Sequence, residues 1–289
     1  MRVVIIGSNG QLGTDLVRVF NNTHWQVVGL TNRDIEVKDE SRVIQILGKY
    51  NPQIVINTAA FHDLVACEQN PQEAMMVNAM GVLYLAKWCS GNEAILAHLS
   101  TDYVFGGNAD RSKPYVETDA IAPQSAYAIS KAAGELLLRL YAPRNFLIRT
   151  SGLFGTAGSF VKGTNFVDQR VEQMKRGETV HMVDDQVLSP TFTLNLAQTM
   201  EKLIGTKKYG VYHMVSHGQC SWYQFTVEIK NLLGLDVQVV AVKTNDNKSG
   251  VVRPRYSVLK NENLKKIGVD YMNPWRKNLR LYLEAKGWL

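Results

Sequence analysis

The first thirteen residues constrain the fold of this chain more than any other stretch. Residues 2–6 are a short apolar run rich in β-branched side chains, which is typical of a buried parallel strand. Three glycines follow directly with the spacing Gly7-x-x-Gly10-x-x-Gly13, and residues 14–20 continue with the apolar periodicity of a helix. Glycines in such a turn let the backbone approach a pyrophosphate, and the helix N-terminus offers N–H groups to it. The stretch therefore predicts the first βαβ unit of a dinucleotide-binding fold.

The alternation of strands and helices continues through the first half of the chain. Strands are predicted at 2–6, 26–30, 53–57, 94–99 and 145–150, and helices at 11–20, 39–49, 71–90 and 125–141. This order predicts an α/β fold with a Rossmann-type, doubly wound parallel sheet, in which ligands bind outside the carboxyl ends of the strands. We place an NAD(P)-binding domain at 1–150. A smaller, mainly substrate-binding lobe is predicted at 151–289, with some of its elements returning to the sheet.

Shorter elements are predicted in the second half. Helices are predicted at 164–176, 193–203, 221–233 and 276–286, and strands at 211–215 and 237–242.

Composition and charge narrow the class of protein further. The 289 residues carry a net charge of +6 and contain no apolar run of the roughly 18 residues that a membrane span needs. Because the basic residues form no block, we expect neither a nucleic-acid partner nor a membrane, but a surface that suits an anionic nucleotide. The chain starts without a signal-peptide pattern, and Cys67, Cys89 and Cys220 lack the spacing of a metal site. We therefore expect reduced thiols, a cytoplasmic protein and no bound metal.

The residues after the second predicted strand bear on the choice of cofactor. In NAD-binding sites an acidic side chain at this position binds the ribose hydroxyls, whereas an arginine accommodates the 2′-phosphate of NADP. Here Arg33 precedes Asp34, and no carboxylate follows the strand directly. The segment favours NADP(H), and NAD(H) stays an alternative because Asp34 is adjacent.

Two further patterns place hydroxyl groups near the same edge of the sheet. Thr101 follows the fourth predicted strand, and Tyr127 and Lys131 stand four residues apart on the next predicted helix. Residues at i and i+4 share a helix face, where a lysine ammonium lowers a tyrosine pKa that is normally near 10. Such a tyrosine exchanges a proton with a carbonyl oxygen, and a hydroxyl at a strand end holds that oxygen. Combined with the glycine turn, the patterns predict a site that reduces a carbonyl group.

With these motifs the chain resembles the extended branch of the short-chain dehydrogenase/reductase superfamily. The shared motifs are Gly7-x-x-Gly10-x-x-Gly13, Asn57-Thr58-Ala59-Ala60, Asn78-x-x-Gly81, Ser100-Thr101-Asp102 and Tyr127-x-x-x-Lys131. Within that branch it is most similar to the dTDP-4-dehydrorhamnose reductases. The more specific markers are Ser100-Thr101-Asp102-Tyr103-Val104-Phe105, Pro114-Tyr115-x-Glu117-x-Asp119, Ile148-Arg149-Thr150-Ser151, Asp185-Gln186-x-x-Ser189-Pro190-Thr191 and Arg253-Pro254. The resemblance covers most of the chain.

The resemblance implies a role for each matching residue. Tyr127 is implied to donate the proton, Lys131 to bind the nicotinamide ribose and lower the Tyr127 pKa, and Thr101 to orient the keto oxygen. The residues implied to bind the cofactor are Gly7, Asn9, Gly10, Gln11, Leu12, Gly13, Arg33, Asp34, Ile35, Ala59, Ala60, Tyr127 and Lys131. The residues implied to bind the substrate are Thr101, Asp102, Tyr103, Gln186 and Arg253, the last by pairing with a diphosphate.

The implied activity is the NAD(P)H-dependent reduction of the 4-keto group of a nucleotide-linked deoxysugar. The first candidate is the conversion of dTDP-4-dehydro-L-rhamnose to dTDP-L-rhamnose. The alternatives are another sugar-nucleotide 4-ketoreductase, an epimerase, or a non-catalytic NADP-binding regulatory subunit resembling the β subunit of methionine adenosyltransferase. Reductases of this family tend to carry a tryptophan after the Arg-Thr-Ser segment, whereas Gly152 follows here, so the sugar stays open. The family includes dimers, so a homodimer is among the expected assemblies.

Overall fold

Strands and helices alternate along the chain and become shorter after the fifth strand. The structure is a computed structural model and describes residues 1–108, 110–157, 163–244 and 250–289. The strands are β1 (Arg2–Ile6), β2 (Gln26–Leu30), β3 (Ile54–Asn57), β4 (Ile95–Thr101), β5 (Asn145–Thr150), β6 (Leu153–Phe154), β7 (Val180–Val183), β8 (Val187–Leu188), β9 (Thr191–Phe192), β10 (Gly210–His213), β11 (Cys220–Ser221) and β12 (Val239–Val242). The helices are α1 (Gln11–Asn21), α2 (Glu40–Tyr50), α3 (Leu64–Gln69), α4 (Pro71–Met75), α5 (Gly81–Gly91), α6 (Ala126–Tyr141), α7 (Phe166–Lys175), α8 (Thr193–Gly205), α9 (Trp222–Leu232), α10 (Glu262–Lys266) and α11 (Trp275–Ala285).

Six parallel strands form the central sheet in the order β10-β5-β4-β3-β1-β2. The chain places β2 on one side of β1 and β3 on the other, so that Ile6 lies level with both Leu30 and Asn57. The strand order therefore reverses at β1, and the crevice outside the carboxyl ends of β1 and β3 is where open α/β sheets bind ligands. Strand β10 comes from the second half of the chain and extends the sheet beside β5. The predicted α/β fold with a Rossmann-type parallel sheet is confirmed.

Helices cover both faces of this sheet, because successive strand residues point to opposite sides. Val3 and Ile5 of β1 belong to the core packed against α1 and α8, whereas Val4 and Ile6 belong to the core packed against α2, α5 and α6. A separate core that includes Phe225 is built by α7, α9 and α11. The second half of the chain thus has apolar packing of its own beside the sheet.

A π-helical turn between α4 and α5 fixes the loop that follows β3. The Asn78 side chain in this turn accepts a hydrogen bond from the Phe61 backbone N–H (2.9 Å) and donates to the Phe61 carbonyl oxygen (2.8 Å) and to Ser130 Oγ (2.9 Å). Gly134 of α6 packs so closely that a Cβ atom there would overlap the Asn78 carbonyl oxygen. The turn therefore joins the β3 loop to α6, the helix that carries Tyr127. Single π turns are frequent at functional sites.

The predicted elements agree with the structure in most places. The predicted helix at 71–90 is interrupted by the π turn at Met76–Met80, and β4 extends beyond its predicted end to include Ser100 and Thr101. Helices α3 and α10 and several two-residue strands were not predicted, because a segment this short offers too few positions to show a period. Within the described ranges, no helix is long and apolar enough to cross a membrane.

Candidate active site

The glycine turn after β1 brings the backbone into close contact with the end of β3. Gly7 has a φ of 81°, and a Cβ atom there would lie 2.5 Å from Thr58 Oγ1 and 3.1 Å from the Ala59 backbone nitrogen. At Gly13 a Cβ atom would overlap the Gly7 carbonyl oxygen. The Gly10 N–H donates to the same Gly7 oxygen (3.0 Å), and α1 begins at the next residue. The turn thus leaves bare backbone and a helix N-terminus beside the crevice, which fits the pyrophosphate of a dinucleotide.

Three other predicted cofactor residues use their side chains inside the protein. Leu12 and Ile35 are buried in the cores on the two faces of the sheet. Gln11 Oε1 accepts a hydrogen bond from the Gly155 backbone N–H (3.0 Å), which ties the start of α1 to the second half of the chain. Leu12 and Ile35 can therefore meet a cofactor only through their backbone atoms. The side chain of Asn9, by contrast, is exposed.

The segment after β2 separates its two charged residues by environment. The Asp34 carboxylate accepts hydrogen bonds from the backbone N–H and the hydroxyl of Thr31, both at 2.8 Å. These bonds hold the pKa of Asp34 below its ordinary value, and the carboxylate closes its own turn. Arg33 is exposed beside this turn. The Asp34 carboxylate is thus hydrogen-bonded within the turn, while the neighbouring Arg33 is exposed.

The structure brings Thr101 and Tyr127 together at the carboxyl end of β4. Thr101 is the last residue of β4 and is buried, and its side chain forms a hydrogen bond with that of Tyr127. Tyr127 lies in the first turn of α6, whose start is capped by Ser125 through a hydrogen bond from the Ala128 N–H (3.2 Å). The capping residue fixes where the helix begins and therefore where Tyr127 stands.

The protonation of Tyr127 is dominated by its burial. Burial raises its pKa above the ordinary value, Asp102 and Tyr103 raise it further, and only the hydrogen bond with Thr101 lowers it. A lowering of this pKa by Lys131 stays a prediction. Tyr127 is a phenol rather than a phenolate at neutral pH, which is the form that can donate a proton.

Lys131 is buried and turned toward the sheet. Its Nζ donates to the Leu99 carbonyl oxygen (2.6 Å) and lies 3.2 Å from His98 Nε2. Burial lowers the pKa of Lys131 to about 8, and the neighbouring Glu135 opposes that shift. The amine is thus held against β4 by the Leu99 carbonyl oxygen and the His98 ring.

Asp102 is also buried, with its carboxylate enclosed by hydroxyl groups. Ser151 Oγ (2.7 Å) and Ser257 Oγ (2.6 Å) donate to Oδ2, and Thr101 Oγ1 donates to Oδ1 (3.1 Å). Burial outweighs these hydrogen bonds and raises the pKa of Asp102 to about 6. The carboxylate of Asp102 thus joins the end of β4 to two distant segments. A sugar contact by Asp102 stays a prediction.

A cavity of about 410 Å³ lies beside the glycine turn. It is lined by Gln11, residues 62–65, residues 164–166, Gln169 and Arg253. A pocket of this size, with apolar and polar walls and one arginine, is large enough for part of a nucleotide sugar. A second cavity of about 460 Å³, lined by His217, Lys265, Gly268 and Asp270, contains none of the predicted site residues.

Arg253 connects this cavity to the hydroxyl pair. Its side chain forms a hydrogen bond with Tyr103, and the Tyr103 ring meets the Tyr127 ring edge-on with the centroids 6.0 Å apart. Gln186 behaves differently, because its amide donates to Thr244 Oγ1 (2.9 Å) and the residue is buried. The structure therefore links Arg253 at the cavity, through Tyr103, to Tyr127, and gives Gln186 a partner within the protein.

Gly152, which stands where related reductases tend to carry a tryptophan, is closely surrounded by other residues. Gly152 has a φ of 51°, and a Cβ atom there would lie 2.7 Å from Leu188 Cδ1 and 3.6 Å from the Trp222 ring. Trp222 in turn packs on Phe166 with ring centroids 4.3 Å apart, and Phe166 lines the cavity. The aromatic wall of the cavity thus comes from α7 and α9 rather than from the residue after Ser151.

The sequence analysis did not identify the helix starts that line the cavity or the buried histidine beside Lys131. Asp63 caps α3 by accepting from the Ala66 N–H (3.0 Å), and Asn165 caps α7 by accepting from the Asp168 N–H (3.0 Å). Both are Asp or Asn residues just before a helical segment, which is a recognised start signal, so the two walls had a local signature. Nothing in the local pattern marks His98, which occupies an inward position on a strand.

The class of protein follows from three features together: the parallel sheet, the glycine turn where the strand order reverses, and the α6 tyrosine beside β4. They define an extended short-chain dehydrogenase/reductase. Comparison with known proteins narrows the class to a family. The family described as "RmlD substrate binding domain" matches residues 1–287. The chain belongs to this family.

Individual relatives match over nearly their whole length. The spore coat polysaccharide biosynthesis protein SpsK of Bacillus subtilis (strain 168) is 35% identical over 285 residues, covering 99% of this chain and 98% of the relative. A dTDP-4-keto-6-deoxy-D-glucose reductase of Streptomyces niveus is 34% identical, covering 95% and 93%. The solved dTDP-4-dehydrorhamnose reductase of Bacillus anthracis str. Ames, in complex with NADP, superposes with a TM-score of 0.92 at 32% identity, covering 98% and 99%.

Proposed function

We propose that the protein is an NAD(P)H-dependent reductase of the 4-keto group of a nucleotide-linked deoxysugar, with dTDP-4-dehydro-L-rhamnose as the first candidate substrate. The observation that carries the proposal is the pairing of Thr101 with a protonated Tyr127 beside the glycine crevice. Relatives at similar identity are named as reductases of two different dTDP-linked keto sugars, which supports the reaction more firmly than the sugar.

The residues present fit a nicotinamide dinucleotide. At Gly7 and Gly13 the missing Cβ lets the turn pack against Thr58 and against its own backbone, which holds the α1 N-terminus at the edge of the sheet, where its N–H groups suit a pyrophosphate. Ala59 and Ala60 follow β3 at the same edge and are only half-buried. When bound there, a reduced nicotinamide supplies a hydride for the carbonyl carbon.

The chain itself supplies the proton and holds the carbonyl oxygen. The Thr101 hydroxyl orients that oxygen once its hydrogen turns from Asp102 to the substrate. The Tyr127 O–H bond breaks as its proton passes to the oxygen, leaving a phenolate. The raised Tyr127 pKa keeps the phenol protonated until negative charge develops on the substrate. We assign the diphosphate of the substrate to Arg253, because this arginine lines the cavity and contacts Tyr103. A substrate contact by Gln186 stays a prediction.

We favour NADP(H) over NAD(H) as the cofactor. The Asp34 carboxylate is bound to Thr31 within its own turn, whereas the Arg33 side chain is exposed. An exposed guanidinium after β2 suits a 2′-phosphate, while an engaged carboxylate is less suited to the ribose hydroxyls.

A substrate panel tests the proposed reaction and its alternatives. Purified protein is mixed with dTDP-, GDP- and UDP-linked 4-keto-6-deoxysugars, each with NADPH or NADH, and cofactor oxidation is followed by absorbance. We expect turnover with a dTDP-linked 4-keto sugar and a preference for NADPH. Nicotinamide that stays tightly bound and is not consumed while the sugar epimerises would favour an epimerase. A stoichiometric protein partner without turnover on any sugar would favour a regulatory subunit.

Two further features concern assembly and location. Helix α6 exposes Ile129, Leu136 and Leu140 along one face, with relative exposures of 51%, 59% and 72%. This stripe is the surface that we assign to the expected homodimer, and Leu136→Lys with Leu140→Lys should shift a sedimenting dimer to monomer. The three cysteines are buried free thiols, which suits the proposed cytoplasmic location.

A further inference from the structure

Gln11 takes part in both the glycine turn and the cavity beside it. It is the first residue of α1, directly after Gly10, and it also lines the cavity of about 410 Å³. Among the described residues that line this cavity, Gln11 is the only one that the sequence analysis assigned to the cofactor. Its backbone therefore belongs to the crevice, whereas its side chain belongs to the cavity.

The orientation of the Gln11 amide follows from one backbone group. The Gly155 N–H can only donate, and it points at Gln11 Oε1 (3.0 Å). The amide oxygen must therefore face Gly155, which turns the NH₂ group of Nε2 away from that backbone. The side chain thus presents N–H donors, and not its carbonyl oxygen, on the side opposite Gly155.

The backbone partner of this amide is itself held in place. Gly155 packs so closely on Thr193 that a Cβ atom at Gly155 would lie 2.1 Å from Thr193 Oγ1. The Gly155 carbonyl oxygen accepts a hydrogen bond from Asn165 Nδ2 (2.9 Å), and Asn165 is buried. A donor anchored in this way has its bound orientation before the ligand arrives, which lowers the entropic cost of binding.

The NH₂ group of Gln11 has no hydrogen-bond partner among the described residues, and its nitrogen is not enclosed by protein. It therefore opens to the cavity that Gln11 lines. Arg253 lines the same cavity and adds a guanidinium, whose N–H groups are also donors. Asp63, the acidic residue of the described lining, turns its carboxylate to the Ala66 N–H (3.0 Å) at the start of α3. The cavity thus offers N–H donors to an anionic oxygen.

We propose that the Gln11 side chain binds the diphosphate of the nucleotide sugar, beside Arg253, and not the cofactor. This inference rests on the proposed function, because that function supplies a diphosphate with anionic oxygens. Hydrogen bonds from an amide and a guanidinium to such oxygens are charge-assisted and strong. Arg253 also contacts Tyr103, whose ring meets that of Tyr127, so a diphosphate held here leaves the attached sugar next to the proton donor.

Two variants at position 11 separate a substrate contact from a structural hydrogen bond. Gln11→Glu keeps an oxygen for the Gly155 N–H but replaces the NH₂ group by an anionic oxygen, whereas Gln11→Met, of similar length, removes both. The affinity for dTDP, measured by calorimetry without cofactor, should fall by about tenfold or more in each variant. In Gln11→Met the affinity for NADPH should stay within about twofold of the parent value.

Each alternative role of Gln11 gives a different result. If the side chain only supports Gly155, Gln11→Glu binds dTDP like the parent protein and Gln11→Met alone is weakened. If the side chain binds the cofactor, Gln11→Met loses NADPH affinity. Either result would overturn the proposal. The matched controls are Gln72→Glu and Gln72→Met, which make the same changes at an exposed glutamine on α4 and should leave both affinities unchanged.

Nuclear magnetic resonance of the parent protein tests the contact without any substitution in the measured sample. The side-chain NH₂ signals of Gln11 in ¹⁵N-labelled protein, identified by their absence in Gln11→Glu and Gln11→Met, should shift when dTDP is added without cofactor. The NH₂ signals of Gln72 should stay in place. Gln11 signals that do not move at saturating dTDP would refute the contact.

The contact and the proposed reaction can fail separately, because binding of dTDP needs no turnover. A parent protein that binds dTDP through Gln11 but reduces no keto sugar would refute the reductase and keep the contact. A parent protein that reduces a dTDP-linked keto sugar, while both Gln11 variants retain full dTDP affinity, would refute the contact and keep the reductase. A parent protein that binds no nucleoside diphosphate would overturn both.

Discussion

The crevice between β1 and β3 and the connections to the second half of the chain are held together in opposite ways. The crevice depends on bare backbone in contact: Gly7 against Thr58, and Gly13 against Gly7. The connections to the second half add single side-chain hydrogen bonds across long sequence separations, such as Ser257 to Asp102 (2.6 Å), to the backbone pairing of β10 with β5. An added carbon atom should therefore damage the crevice, whereas the removal of one hydrogen-bonding atom should weaken the connections to the second half of the chain.

The same contrast separates the proposed cofactor site from the proposed substrate site. The crevice offers backbone N–H groups, which suit a pyrophosphate of any dinucleotide. The cavity beside it is lined by side chains such as Phe166 and Arg253, backed by Trp222. Changes to the second set of residues can alter the sugar without altering the cofactor, which agrees with relatives named for different keto sugars.

The largest effect is expected from Tyr127→Phe, which damages neither region and removes only the proton donor. Turnover should fall by about 10²- to 10⁴-fold, because that is what a positioned general acid contributes. NADPH binding, measured by fluorescence titration, should change by less than about twofold. Turnover within about tenfold of the parent protein would contradict the role of Tyr127.

Asp102→Asn tests the hydrogen-bonded connection through its pH dependence. The raised pKa means that the folded state holds the Asp102 proton more tightly than the unfolded state, so stability is lost as pH rises from about 4 to about 6. A pKa moved from 3.8 to about 6 corresponds to about 3 kcal/mol. The free energy of unfolding of the parent, relative to Asp102→Asn, should therefore fall by up to about 3 kcal/mol over this range in urea titrations.

The control for that experiment is Asp34→Asn, which should give the opposite slope. The pKa of Asp34 is lowered by its hydrogen bonds to Thr31, so its contribution to stability is lost as pH falls rather than as it rises. If the difference in free energy of unfolding between the parent and Asp102→Asn stays constant with pH, the pKa of Asp102 is not raised in the folded protein.

Gly13→Ala tests the backbone contact in the crevice. The new Cβ atom would overlap the Gly7 carbonyl oxygen, so the turn must shift, at a cost of about 1–3 kcal/mol. NADPH affinity should fall by about tenfold or more. The matched control is Gly48→Ala on α2, where a Cβ atom meets nothing within 4 Å among the described residues and stability should rise slightly. Equal NADPH affinity in both variants would argue against the crevice as the cofactor site.

The smallest effect on activity is expected from Arg33→Ala, which removes one exposed side chain after β2 and leaves the backbone contacts of the crevice unchanged. Losing a charge-assisted contact with a 2′-phosphate should raise the KM for NADPH by about tenfold and leave the KM for NADH within about twofold. The ratio of the two KM values from initial rates is the measurement. An equal rise for both cofactors would sink the preference for NADP(H).

The two regions also differ in how far the sequence predicts them. The glycine turn and Tyr127–Lys131 are local patterns, and strand and helix periods place them correctly at the edge of the sheet. Contacts such as Ser257 with Asp102, or Asn57 with His98, join residues far apart in sequence, and no local period encodes them. The hydrogen bond from Lys131 to the Leu99 carbonyl oxygen on β4 likewise has no local signature in the sequence.

In the proposed reaction the 4-keto group of a sugar nucleotide receives a hydride from the reduced nicotinamide and a proton from the protein. The most direct measurement is a single turnover with NADPH carrying deuterium at the transferable position of C4 and dTDP-4-dehydro-L-rhamnose, with the product examined by NMR. We predict one deuterium on the sugar C4 of the product and one equivalent of NADP⁺ for each protein chain. Deuterium that remains on the cofactor, or a sugar that is epimerised but not reduced, would contradict the account.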